Sequence, residues 1–283
     1  MNSLRSLTVR KAYVKEDSQN RKEGGAVDMT SKVFRTVSPW LSISSSHGPN
    51  LHRLFCLPFA GGGAMAFYRW PALIAAGTEV ARVHLPGREA RLGVPLFRRL
   101  LPLVDALVGE LISWIDGPFS LFGHSMGALL VFELAKELRR RHNLLPGHLF
   151  VSGYRAPQLL PSDSPFSQLS DTDFLSRILQ YGGVPDVVAQ NEEMMEIFLP
   201  ILRADFEMTE GYVYEEGPPL ECPLTAFGGL SDSKFDREKI MAWEVQTSGV
   251  FRAHFFPGGH FFIQDSEPWV LNQINLELDS AGR

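Results

Sequence analysis

The chain has 283 residues, of which 45% are hydrophobic and 11% aromatic, enough apolar material for one packed α/β core and unlike a disordered chain. A formal net charge of −5, with no basic stripe to offset it, argues against nucleic acid as a general partner. No apolar run approaches the ~18 residues of a membrane-spanning helix, and the first residues lack the apolar segment of a secretory signal, so no membrane is expected as a partner. Cys56 and Cys222 both lie in apolar runs and read as small core residues rather than a disulfide or a metal pair. Such sparse cysteine suits the cytoplasm.

Residues 1–48 read as an extension without structure. The stretch from Lys15 to Gly25 is charged, polar and free of apolar periodicity. Met29 is a candidate start, and Glu16, Asp17, Glu23 and Asp28 make the stretch too acidic for a transit peptide. Residues 49–283 are expected to form one domain.

From His52 onward strand and helix signals alternate, the pattern of a mostly parallel sheet covered on both faces. Arg53–Pro58 predicts a buried strand followed by the glycine-rich turn Phe59-Ala60-Gly61-Gly62-Gly63, and Val80–Leu85 predicts a second strand ended by Pro86-Gly87. Leu103, Leu107, Leu111 and Trp114 fall on one stripe of a helix over 100–115. Then comes Phe119–Phe122, an apolar strand running into Gly123-His124-Ser125-Met126-Gly127 and a helix over 126–141.

That sequence is a nucleophile elbow: a serine on a sharp strand-to-helix turn, with glycines two residues to either side where backbone segments nearly touch. The helix behind it points free N–H groups and a positive dipole at the serine. Arg139-Arg140-Arg141 falls at the end of that helix, where cations complement the dipole. His148–Ser152, Cys222–Phe227 and Phe251–Phe256 predict the remaining strands. The serine therefore sits mid-sheet at a strand's carboxyl end, where open α/β sheets bind ligands.

Between Ser152 and Cys222 the alternation breaks. Helical signals over 171–181 and 191–212, interrupted by Gly182-Gly183-Val184-Pro185, predict a helical lid over residues 158–216, inserted after strand 6. Met194, Met195, Ile197, Phe198, Leu199, Ile201, Leu202, Phe206 and Met208 would supply its apolar lining.

A serine hydroxyl needs a neutral imidazole to take its proton, and the imidazole needs a carboxylate to fix its tautomer. His260, in a glycine-rich loop after the last strand, is the best placed of the eight histidines. His124 reads as a hydrogen-bonding prop, while His52, His84, His148 and His254 read as structural and His47 and His142 as exposed. Asp232 follows the penultimate strand and fits the serine, acid, histidine order of α/β hydrolases. Asp236 is the fallback, explicable as a helix cap. Met126 and Ala60, with Phe59 second to Ala60, are the expected oxyanion N–H donors. A phosphate-binding reading of the glycine-rich turn fails for want of a following Lys-Ser/Thr.

Taken in order, Leu57–Gly63, Leu85-Pro86-Gly87-Arg88-Glu89, Gly123–Ala128, Arg203-Ala204-Asp205 and Gly258–Phe262 resemble the type II thioesterases of nonribosomal peptide and polyketide synthesis, over residues 50–275. The resemblance implies an α/β-hydrolase fold and a stand-alone editing enzyme that removes acyl or aminoacyl groups from the phosphopantetheine thiol of carrier domains. It implies Ser125, Asp232 and His260 as triad and Met126 with Ala60 as oxyanion donors. No metal or dissociable cofactor is expected, since the phosphopantetheine arrives on the carrier, and the expected state is a monomer. Arg69, Arg88, Arg91, Arg98 and Arg99 are candidates for docking an acidic carrier. An esterase, an acyltransferase or cyclase, and a catalytically inactive carrier-binding protein are the alternatives.

Overall fold

Alternation of side chains across a pleated strand decides how this sheet is covered. Phe55 and Leu57 face one cluster while Leu54 and Cys56 face another, and Leu149/Val151 and Phe150 divide in the same way. A sheet apolar on both faces must be sandwiched between helices. The computed structural model describes residues 34–45, 51–161, 164–179, 182, 184 and 190–281. Its sheet contains β1 (Phe34–Ser38), β2 (Leu41–Ser44), β3 (His52–Leu57), β4 (Thr78–Val83), β5 (Phe119–His124), β6 (His148–Ser152), β7 (Leu224–Gly229) and β8 (Phe251–Phe256), in the order β1-β2-β4-β3-β5-β6-β7-β8. From β4 to β8 neighbours are parallel, and only β1 and β2 run antiparallel to theirs.

Helices α1 (Leu100–Leu111) and α2 (Met126–His142) cover one face. On the other lie Phe67 and Trp70, together with Val270, Leu271 and Ile274 of α6 (Glu267–Ala281). α2 ends on Asn143 in the left-handed region, φ 54°, where its N–H bonds back to the carbonyl of Arg139. The three arginines before it are tied down locally: Arg139 to Glu221, Arg140 to Glu137, and Arg141 to Glu137 and Asp105. Their role is that of cations at a helix end, as the sequence implied.

The N-terminal reading needs a correction. Residues 34–44 belong to the sheet, as an antiparallel hairpin on its edge, so the unstructured extension read over 1–48 ran too far. Leu41 and Ile43 enter the core, while Ser42 accepts from Arg82 and Ser44 from the N–H of Val80. Serines can be buried there because each hydroxyl has a partner. Residues 1–33 lie outside the described residues, as does His47.

With those two strands counted, the lid does follow the sixth. It comprises α3 (Asp171–Leu179) and α4 (Glu192–Glu210), packed on each other through a small cluster of Phe166, Phe174, Ile178 and Leu202. Asn191 caps α4 by accepting from the N–H of Met194. Not all of the expected lining points inward: Met194 and Ile197 are exposed on the first half of α4, and Met208 packs into the main core. Among the described residues, no helix is long and apolar enough to cross a membrane.

Candidate active site

β5 is buried along its whole length and delivers Ser125 directly into α2. The turn has no room for side chains beside it. A Cβ at Gly123 would lie 2.0 Å from the carbonyl oxygen of Gly127, and one at Gly127 would lie 2.4 Å from that of Leu57. Ser125 itself takes φ 54° and ψ −119°, a conformation that costs roughly 1–3 kcal/mol and survives only where surroundings enforce it. Here its N–H donates to the carbonyl of Ser152 at 2.7 Å and its carbonyl accepts from the N–H of Ala128 at 2.9 Å.

The loop after β8 brings His260 to the same edge. A carboxylate can only accept, so His260 Nδ1–H donates to Asp232 Oδ2 at 2.9 Å, which leaves Nε2 to accept from the Ser125 hydroxyl at 3.0 Å. Asp232 is fixed in turn, its other oxygen accepting from the N–H groups of Lys234 (2.9 Å) and Phe235 (3.2 Å). Both side chains are buried, at 5% and 2% exposure, so the pair is little screened by water. Asp236 is elsewhere: it caps the short helix α5 (Arg237–Met241) by accepting from the N–H of Lys239.

Met126 is the first residue of α2, so its N–H has no partner within the helix. Ala60 lies in a tight turn closed by the Gly62 N–H on the carbonyl of Phe59 at 2.9 Å. Ala60, Met126, Ser125 and His260 line one cavity under the lid. The lid contributes Ile178, Leu202 and Phe206 to its lining, and the body contributes Phe235 and Phe261.

His124 is fully buried beside the elbow, with Nδ1 2.9 Å from Ser152 Oγ and its ring 5.2 Å from that of His260. Burial first, and then its neighbour His260, hold His124 well below the ordinary histidine value, so it stays a neutral prop. His52, His84 and His148 bond to Ser120, Ser42 and Thr225, and His142 is exposed. Cys56 and Cys222 are both free and buried. Among the described residues there is no cluster of three or more His, Cys, Asp or Glu able to hold a metal.

Two groups have places in the site that the sequence alone did not show. Tyr154, Arg155, Thr209 and Glu210 give the cavity a polar wall, Arg155 donating to the carbonyl of Leu159 and Glu210 accepting from the N–H of Phe166. Only their types could have been read, because the fold alone brings them together. The second group surrounds the glycine-rich turn at Ala60. Arg88 makes a two-pronged pair with Asp205 of α4, at 2.7 and 2.8 Å, and Glu89 accepts from the N–H groups of Ala64 and Met65. Burial would raise the Glu89 carboxyl, but bonds from His84 and those two amides outweigh it and hold Glu89 below its ordinary value.

Arg88 and Arg91 therefore cannot dock a partner. Arg88 is 6% exposed and paired, and Arg91 lies over the Trp40 ring at 3.7 Å while donating to the carbonyl of His84. Arg69, Arg98 and Arg99 remain at the surface.

The family model of the thioesterase domain matches residues 52–277. The chain belongs to the thioesterase domain family. It is thus a thioester hydrolase built on the α/β-hydrolase fold. It is 41% identical to the gramicidin S biosynthesis protein GrsT of Aneurinibacillus migulanus over 246 residues, 86% of this chain and 96% of that one. Among solved structures it is similar to RedJ, a thioesterase of the prodiginine pathway in Streptomyces coelicolor (TM-score 0.76, 38% identity, 81% and 86% of the two chains). It is also similar to YbtT, a type II thioesterase of the yersiniabactin NRPS/PKS pathway (TM-score 0.75, 33% identity, 84% and 96%). This family's relatives support a type II thioesterase of nonribosomal peptide or polyketide pathways.

Proposed function

We propose that this thioesterase hydrolyses acyl or aminoacyl groups from the phosphopantetheine thiol of carrier domains, an editing role in nonribosomal peptide or polyketide synthesis. The observation that carries the reading is the continuous relay from Asp232 through His260 to Ser125, opening into a cavity beside two backbone N–H donors.

In this mechanism His260 Nε2 takes the Ser125 proton as Oγ attacks the thioester carbonyl. The N–H groups of Met126 and Ala60 hold the resulting oxyanion, and Asp232 stabilises the imidazolium. Collapse breaks the C–S bond, and the proton on His260 passes to the departing thiolate. Water then gives a proton to the same nitrogen as it attacks the acyl-enzyme, and collapse breaks the C–Oγ bond, the proton on His260 passing to the Ser125 oxygen as the acid is released. Every proton and electron pair is accounted for by protein, thioester and water. No metal or dissociable cofactor is called for, and the phosphopantetheine belongs to the substrate.

All of these groups come from one chain, so we read the working unit as a monomer. The two free thiols fit a reducing cytoplasm. Of the five candidate arginines, Arg69, Arg98 and Arg99 stay at the surface to meet an acidic carrier, Arg69 beside Glu267 and Arg98 paired with Glu207.

Replacement Ser125→Ala is expected to lower hydrolysis of an acyl-carrier thioester by about 10⁴-fold or more without changing the thermal midpoint. Carrier thiol release and product mass are the readouts. Turnover near the wild-type rate in the variant would overturn the nucleophile assignment, and an acyl-amine or ester product in place of free acid would favour a transferase.

A further inference from the structure

The relay and the turn that carries Ala60 account for three of the five motif blocks, but the Arg88 and Asp205 blocks have no part in proton transfer. They are 117 residues apart in the chain and meet as a buried ion pair, with side chains 7% and 1% exposed. A buried pair of this kind is a weak contributor to stability compared with apolar packing. What distinguishes this one is where its remaining hydrogen bonds go.

Asp205 Oδ2, besides accepting from Arg88, accepts from the N–H of Gly61 at 2.8 Å. Arg88 Nη1 also donates to the carbonyl of Gly62 at 3.0 Å, and its Nε to that of Pro86 at 3.3 Å. Both bonds to the glycine turn fall immediately after Ala60. The Ala60–Gly61 peptide plane is pinned by Asp205, and the Phe59–Ala60 plane, which carries the Ala60 N–H, is pinned by the Gly62 N–H on the carbonyl of Phe59. With both flanking planes fixed, the direction of the Ala60 N–H is fixed as well.

The pinning group rides on the lid. Asp205 stands one turn after Leu202 on α4, on the same helical face. Leu202 presses on the same turn, where a Cβ on Gly61 (φ 74°) would lie 2.4 Å from its Cδ2. One face of the lid helix thus supplies both a steric and a charged contact to the turn.

We propose that Arg88 and Asp205 are positioning residues that aim the Ala60 N–H at the oxyanion, so that this donor is in place only while α4 is seated on the body. The inference rests on the thioesterase reading and on Ser125 as its nucleophile. Its consequence is that lid position sets the chemical step as well as access to the cavity.

The test compares wild type, Asp205→Asn and Arg88→Lys on one acyl-carrier thioester. Each is also titrated with a trifluoromethyl ketone bearing the same acyl chain, whose Ser125 adduct carries an oxyanion, and with the matching non-electrophilic thioether. Both variants are expected to lose kcat by about 10- to 100-fold, less than removal of a whole oxyanion donor, with KM within about threefold. Ketone affinity should fall by the same factor as kcat/KM while thioether affinity stays within about twofold. A lower Tm with unchanged kcat, or a lower kcat with unchanged ketone affinity, would overturn the proposal. Should Asp205→Asn fail to fold, Arg88→Lys decides alone, since it keeps the buried cation and gives up the fork. A wild-type protein that leaves the thioester intact would overturn the underlying reading instead, which separates the two failures.

Discussion

The two ends of the sheet hold the same kinds of side chain in nearly the same geometry, yet only one end adds a carboxylate and a cavity. At the amino end His52 lies 2.9 Å from the hydroxyl of Ser120 and His148 lies 2.8 Å from that of Thr225, while at the carboxyl end His260 lies 3.0 Å from that of Ser125. A histidine touching a hydroxyl is therefore not what makes a nucleophile. Ser120 and Thr225 sit inside regular ladders, whereas Ser125 stands on a strained turn with the first N–H groups of a helix behind it. The second nitrogen of His148 is buried without a partner, whereas that of His260 has Asp232. The amino-end pairs satisfy buried polar groups, and the carboxyl-end pair is oriented by a carboxylate and opened to a cavity.

The comparison breaks most sharply at the carboxylate. Asp232→Asn keeps the shape but forces the imidazole toward the wrong tautomer, and kcat is expected to fall by about 10³- to 10⁴-fold. The matched change at the other end, Ser120→Ala, should leave kcat within about twofold. Steady-state hydrolysis by both variants measures the contrast.

A smaller effect separates the ends by pH. Burial, aided by Arg252 and His52, holds His148 down from 6.5 to about 4. Between those values the unfolded chain binds the proton and the folded chain does not, so stability rises with pH across that window. The contribution is fully present above 6.5 and drains as pH falls towards 4, by about 3 kcal/mol in all. Urea unfolding of wild type and His148→Gln at pH 7 and pH 4.5 should show a flatter pH dependence in the variant.

The smallest effect concerns the other acid near the site. Asp236→Ala removes a helix cap and should cost about 1 kcal/mol of stability with kcat unchanged. A large loss of kcat would return Asp236 to the triad.

The parallel strands, the elbow and the convergence of Ser125, His260 and Asp232 were legible because each depends on local pattern: an apolar run, a glycine spacing, a loop just after a strand. Even Asp232 over Asp236 followed from position relative to β7 and a helix start. What escaped was non-local. Leu41-Ser42-Ile43-Ser44 alternates over only four residues, too few to stand out beside a polar stretch, and its serines are buried only because Arg82 and Val80 meet them. Arg88 looked like a surface cation because its partner lies 117 residues away. The lid helix showed its apolar content but not which half of it faces the cavity, since Met194 and Leu202 differ in surroundings rather than in character.

The central claim is that Ser125 carries the acyl group between carrier and water. Rapid quenching of the enzyme with an acyl-carrier thioester, followed by mass spectrometry of the intact protein and its peptides, tests it directly. The account predicts a transient mass increase equal to the acyl group, on the peptide containing Ser125 and absent in Ser125→Ala. Hydrolysis with no acyl adduct in the wild type and an undiminished rate in Ser125→Ala would contradict it.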